Sequence, residues 1–112
     1  MVDSIRDFSK ERRLFQRIKV DLPARINDVA TGRLIRVKTY DISAQGVGIL
    51  SEERLDKATP VKISVSVPHI KRRPLTTYGR VIWVKPETRF SWRIGLSLEK
   101  PEFAGLSSLL RD

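Results

Sequence analysis

Val61-Lys62-Ile63-Ser64-Val65-Ser66-Val67 alternates apolar and polar residues without a break, the period of two of a strand with one face buried and the other in solvent. Pro68 and the basic stretch from Lys71 to Pro74 close it, because proline cannot donate to a sheet ladder. The same period extends in both directions. Toward the C-terminus, Leu75, Thr77, Gly79, Val81 and Trp83 predict the next strand, and Phe90, Trp92, Ile94, Leu96 and Leu98 the one after it. Lys85 to Arg89 reads as their hairpin loop, and Gly79 and Gly95 as bends. Toward the N-terminus, Ile18, Val20, Leu22, Ala24 and Ile26 predict a first strand, Asn27 to Gly32 a turn, Leu34 to Ile42 a second strand, and Val47 to Leu50 a short third one. Glu52 to Thr59 reads as a loop or a single helical turn.

Six short strands with one-sided apolar faces cannot each bury that face in a flat open sheet, and closure also removes exposed edges. The expected fold is therefore all-β, a six-stranded antiparallel β-barrel over residues 12–100. Residues 1–11 are polar and mixed in charge, which predicts a flexible N-terminal arm. After Pro101, the spacing of Phe103, Leu106, Leu109 and Leu110 predicts a short C-terminal α-helix over residues 101–112, packed on the barrel.

The chain has 112 residues, of which 40% are hydrophobic, enough for one compact core. Its 22 lysines and arginines outnumber 13 carboxylates, for a net charge of +9, and this excess favours anionic partners: nucleotide, nucleic acid or an acidic membrane surface. There is no cysteine, and His69 is the single histidine, so no metal site is expected. No serine is recognisably paired with a histidine as a nucleophile, and no glycine-rich phosphate loop occurs, so no catalytic residue is expected. The N-terminus lacks the apolar core of a secretion signal, and no apolar run approaches the roughly 20 residues needed to cross a bilayer. A soluble cytoplasmic protein without membrane insertion is the expectation.

Two motifs carry the chemistry. Arg13-Leu-Phe-Gln-Arg17 means little by spacing alone: 14 arginines in 112 residues give about 1.7 such pairs by chance, and Arg89 and Arg93 form a second one. Asp41-Ile-Ser-Ala-Gln-Gly46 is far sharper, at about 0.04 expected occurrences of [D/N]-x-S-x-x-G. Its bland reading is turn chemistry, since Asp and Ser bond their own backbone and Gly supplies positive φ.

In this order and separation the two motifs resemble the paired signature of PilZ domains, one at the start of the first strand and the other after the second. The segments Gly79 to Trp83 and Arg93 to Leu98 are similar to the last two barrel strands of that family, so the resemblance covers about residues 11–100. It implies a bacterial receptor for cyclic di-GMP, a second messenger with two phosphates and two guanines, bound as ligand with no cofactor. The residue types suit that ligand. Arginine's planar fork matches both a phosphate and the O6/N7 edge of guanine, which makes Arg13 and Arg17 the primary anchors. The carboxylate of Asp41 can accept from guanine N1 and N2, Ser43 can bond a phosphate or a guanine edge, and Gly46 lets backbone approach the ligand. By resemblance Arg12 favours an intercalated pair of ligands over one, giving two cyclic di-GMP molecules per chain. Trp83 either stacks on guanine or packs at the core or rim, and Trp92 is assigned to the core. Arg72 and Arg73 add only to the positive field.

The expected function is a non-catalytic receptor and adaptor that changes its N-terminal arm and surface on binding ligand, and so signals to a downstream protein partner. The first alternative is a basic barrel binding RNA or single-stranded nucleic acid. It is set aside, with no nucleic-acid partner expected, because aromatic content is 7% with no run of aromatics among basic residues. The second, a ligand-independent protein-interaction module, is set aside because both ligand motifs are intact.

Overall fold

The computed structural model describes residues 17–43, 45–67 and 74–99. The arm over residues 1–11, Arg12, Arg13, His69, Arg72, Arg73 and the expected helix over residues 101–112 lie outside the described residues. Among the described residues there are seven strands and no helix: β1 (Ile18–Lys19), β2 (Pro23–Asp28), β3 (Leu34–Ile42), β4 (Gly46–Ser51), β5 (Pro60–Val65), β6 (Leu75–Thr88) and β7 (Ser91–Leu98). All pairings are antiparallel, and the order β3-β2-β5-β6-β7-β4 closes on itself through β3 and β4. The protein is thus a closed six-stranded barrel, with β1 as an additional short strand on β3.

Alternation fills the barrel. Ala24 and Ile26 of β2, Ile35 and Val37 of β3, Val47 and Ile49 of β4, Val61, Ile63 and Val65 of β5, Val81 of β6, and Ile94 and Leu96 of β7 are all buried inside. Leu55, from the loop after β4, is buried with them, although the loop reading gave it no core role. Each of the buried valine, leucine and isoleucine side chains contributes about 1.5–3 kcal/mol of hydrophobic stabilisation relative to exposure.

Four expectations need correction. First, the single strand expected from Ile18 to Ile26 is broken into β1 and β2, because the register gains one residue between the pairs Lys19↔Asp41 and Pro23↔Lys38. Thr39 bridges the break: its hydroxyl accepts from the Leu22 N–H at 3.0 Å and donates to the Val20 carbonyl at 2.7 Å. Second, the expected turn from Asn27 begins later, since Asn27 and Asp28 still pair with Lys62 and Val61. Third, Lys85 to Arg89 is mostly strand: Lys85 pairs with Arg93, Pro86 with Trp92 and Thr88 with Ser91, leaving Arg89 and Phe90 as the turn. A register shift between Pro86 and Thr88 accommodates the residue that lacks an N–H. Phe90, expected to face inward, is therefore 77% exposed at the hairpin tip. Fourth, the faces of β3 and β6 each switch partway along.

These switches position the site. On β3 the buried positions are Ile35, Val37 and Thr39, then Ile42, and the register against β4 shifts between Thr39 and Asp41. A strict period of two would have driven Asp41 into the core; the extra residue at Tyr40 turns it outward. On β6 the buried positions are Thr77, Gly79 and Val81, and the register against β7 then shifts between Val81 and Trp83. Trp83 likewise leaves the inward phase for the outer face.

Candidate functional site

The two bulges place Asp41 and Trp83 in one row on the outside of the barrel. Lys19 pairs with Asp41, Asp41 with Gly48, Gly48 with Gly95, and Gly95 with Trp83, across β1, β3, β4, β7 and β6. The middle of the row has no side chains of its own, and large neighbours lie in the space. A Cβ on Gly48 would collide with the Tyr40 ring and stand 2.7 Å from Oδ1 of Asp41. A Cβ on Gly95 would collide with the Trp83 indole. At both glycines a ring occupies the space a side chain would need.

Cations lie over both rings. The Arg93 guanidinium carbon is 4.7 Å from the Tyr40 ring centroid, and the Lys85 ammonium 5.3 Å from that of Trp83. Arg93 is held by Glu87, with Nη2 donating to Oε1 at 3.2 Å and Nε 3.0 Å from Oε2. Burial raises the Tyr40 hydroxyl above its ordinary value of 10.0, helped by the negative charge of Asp41 and opposed by Arg93 and Arg17. Tyr40 is accordingly neutral at physiological pH.

Arg17, just before β1, reaches Asp41: Nη1 donates to Oδ1 at 2.9 Å. The same oxygen accepts the Gly48 N–H at 3.0 Å. Among the described residues Oδ2 makes no hydrogen bond, so the carboxylate is aimed by one oxygen and keeps acceptor capacity on the other. The Arg17 side chain is 53% exposed and that of Asp41 18%, which leaves the guanidinium fork open to a ligand from solvent.

The turn joining β3 to β4 is closed by Ser43. Its N–H donates to the Gly46 carbonyl at 2.9 Å, while its hydroxyl accepts from the Gly46 N–H at 3.1 Å and donates to the Gly46 carbonyl at 3.2 Å. Ser43 is buried, and its hydroxyl serves the turn. Gly46 is closely covered: a Cβ would stand 2.9 Å from the Leu96 carbonyl oxygen, with Arg17 Nη2 at 3.9 Å.

Of the residues expected from sequence, the structure brings Arg17, Asp41, Ser43 and Gly46 together and sets Trp83 at the far end of the same row. Arg12 and Arg13 are outside the described residues. Sequence reading missed Lys19, Tyr40, Gly48 and Arg93. Glycine inside an otherwise apolar strand was the available signal for Gly48. Trp92 packs against the core as expected, with the Arg54 guanidinium carbon 5.6 Å from its ring centroid. Among the described residues no group of His, Asp and Glu could hold a metal ion, and no helix is long and apolar enough to cross a membrane.

Three solved structures share this fold. The Bacillus subtilis inhibitor of motility MotI/DgrA is 18% identical with a TM-score of 0.70, over 89% of this chain and 50% of that one. The PilZ domain of Escherichia coli YcgR with c-di-GMP is 17% identical with a TM-score of 0.60, over 79% of this chain and 78% of that one. Borreliella burgdorferi PlzA in complex with c-di-GMP is 13% identical with a TM-score of 0.63, over 98% and 55%. The chain thus spans about half the length of MotI and of PlzA. Among curated proteins nothing matches. The family model of the PilZ domain matches residues 11–111, nearly the whole chain and both motifs with it, and on this ground the protein belongs to the PilZ domain family.

Proposed function

We propose that this chain is a non-catalytic receptor for cyclic di-GMP that uses its N-terminal arm to signal to a protein partner. The carrying observation is the outer row from Lys19 to Trp83, with Arg17 over Asp41 at one end and an indole at the other. Asp41 and Trp83 are three strand spacings apart, roughly 14 Å along the curved sheet, so a ligand with two guanines can meet both ends. The row offers one aimed carboxylate for guanine donors, and Arg17, Lys19, Lys85 and Arg93 for two phosphates. PilZ domains are known as non-enzymatic receptors for this nucleotide, and two of the structural neighbours hold c-di-GMP.

Arg17 and Asp41 form an ion pair that holds the carboxylate in one orientation. Ligand offers each a stronger partner, phosphate or the O6/N7 edge to Arg17 and the N1/N2 donors to Asp41. Because Arg12 and Arg13 lie five and four residues before Arg17, binding there orders the arm against the barrel and changes the surface a partner meets. Titration calorimetry with cyclic di-GMP, against linear dinucleotide and short RNA, tests the reading. Heat from the cyclic ligand alone supports it; RNA binding with no cyclic-ligand signal sinks it.

Two substitutions probe the details. Asp41→Ala is expected to weaken cyclic di-GMP more than cyclic di-AMP, since adenine lacks the paired donors. Equal loss for both ligands, measured by the same titrations, identifies Asp41 as a turn residue only. Arg12 bears on stoichiometry: Arg12, Arg13 and Arg17 supply more charge than one dianion needs, and a second intercalated ligand brings two more phosphates that repel the first. Two ligands per chain at saturation are expected, falling to one in Arg12→Leu with binding retained. A wild-type plateau at one ligand in calorimetry and native mass spectrometry removes Arg12 from the site.

A further inference from the structure

Around the barrel from the Asp41 row, a second face is built from the outward positions of β2, β3, β5 and the first half of β6. They are Pro23, Arg25 and Asn27; Leu34, Arg36 and Lys38; Lys62 and Ser64; Thr76, Tyr78 and Arg80. This face carries five cations and no carboxylate. One row runs Arg36–Arg25–Ser64–Thr76, with each residue directly opposite the next. Two arginines therefore face each other across neighbouring strands, with Cβ atoms about 5 Å apart, where like charges destabilise a sheet.

Nothing among the described residues relieves that repulsion. Arg17, Arg33, Arg54 and Arg93 each have a carboxylate partner, whereas Arg25 and Arg36 form no ion pair with any described residue. Asp28 on β2 turns its Oδ1 to the N–H groups of Ala30 and Thr31. Beside the arginines stand hydroxyls: Ser64 Oγ and Thr76 Oγ1 are 2.9 Å apart, and Ser66 lies just past the end of β5. They line a half-open cleft of about 440 Å³, walled by Arg25, Ser64, Ser66, Pro74 and Thr76. A second cleft of about 290 Å³ adjoins it and shares Arg25 and Ser66 while adding Arg36. The first volume falls in the range of small-molecule sites.

We propose that this double cleft is a second anion site, separate from the Asp41 row, and that it takes a small phosphate-bearing ligand, a phosphomonoester or pyrophosphate. Arg25 borders both clefts and Arg36 the second, so their forks can bond an anion held there, and the hydroxyls of Ser64, Ser66 and Thr76 in the first cleft can donate to its further oxygens. A bound dianion attracts both arginines and so offsets the repulsion between them. A small ligand is favoured over a protein surface because the central row holds no apolar anchor, and over a nucleic-acid strand because Arg25 and Arg36 stand directly opposite each other and share one cleft.

The test is an amide NMR titration of the full chain with pyrophosphate at constant ionic strength. Shifts centred on residues 25, 36, 64, 66 and 76 are expected. Arg25→Gln with Arg36→Gln should weaken pyrophosphate at least about tenfold and leave cyclic di-GMP affinity unchanged. Lys57→Gln with Arg89→Gln removes the same net charge from exposed loops and should change pyrophosphate binding less than about twofold. Arg17→Ala should leave pyrophosphate binding at the clefts intact, so this site and the Asp41 site stand or fall separately. Shifts spread over all basic residues, or an equal loss in the loop variant, overturn the proposal. So does tighter binding of a single-stranded oligonucleotide or a glutamate peptide at matched charge, which identifies the face as a docking surface for a macromolecule.

Discussion

Replacing Arg17 with alanine is expected to weaken cyclic di-GMP roughly ten- to a hundredfold while barely moving the unfolding midpoint. The two effects separate because they have different physical origins. In the free protein the Arg17–Asp41 contact is a half-exposed ion pair, and such pairs contribute at most about 1 kcal/mol to stability. Asp41 also keeps its bond from the Gly48 N–H when the guanidinium is gone. In the proposed complex the fork would make charge-assisted bonds to ligand, and losing them should cost about 1.5–3 kcal/mol. Arg13→Ala should behave in the same way. Arg17→Lys keeps the charge and loses the planar fork, so it should recover only a minor part of the affinity. Calorimetry paired with thermal melts decides the matter: a sharp fall in midpoint, with affinity per folded molecule unchanged, makes these arginines structural.

The strands were legible because their apolar residues repeat every second position. β3 spans the predicted Leu34 to Ile42, and the alternation from Val61 is seen in the burial of Val61, Ile63 and Val65. Closure into a barrel followed from the number of one-sided strands, and the structure agrees. Residues 40 and 82 hid the rest. A bulge adds one residue to one strand, and neither Tyr40 nor Ile82 is a residue type that announces it; the stretch from Leu75 to Trp83 even keeps its period of two through the shift. Read literally, that period puts Trp83 inside, beside Val81, whereas the indole lies outside on Gly95. Pro86 and Glu87 look like turn composition and hid the extension of β6, because β7 continues to pair with that stretch through Trp92. The D-x-S-x-x-G motif was visible as chemistry, but its division of labour was not. The bulge decides that Asp41 points to solvent, while Ser43 turns back to close the hairpin.

Gly48→Val is expected to show the largest combined effect on stability and binding. Valine is a favoured strand residue, so at an ordinary strand glycine it would be neutral or stabilising. At position 48 the added carbons enter space filled by the Tyr40 ring and the Asp41 carboxylate. Overpacking of this kind costs about 1–3 kcal/mol. The ring and the carboxylate must move together, which also strips Arg93 of the ring face beneath it. Affinity for cyclic di-GMP should therefore fall further than in Asp41→Ala, which removes one group and leaves the others in place. Gly95→Val makes the matched comparison at the other end of the row, since its side chain displaces Trp83 and the indole emission should shift toward that of exposed tryptophan. A fall in affinity with that shift assigns Trp83 to the ligand, and a shift alone assigns it to packing. Gly32→Ala serves as the control: its φ of +76° is strained for any other residue, yet a Cβ there meets nothing within 4 Å, so stability alone should drop, by about 1 kcal/mol. If Gly48→Val melts and binds like the native chain, Tyr40 and Asp41 do not share that space, and the row from Lys19 to Trp83 cannot be the ligand's floor.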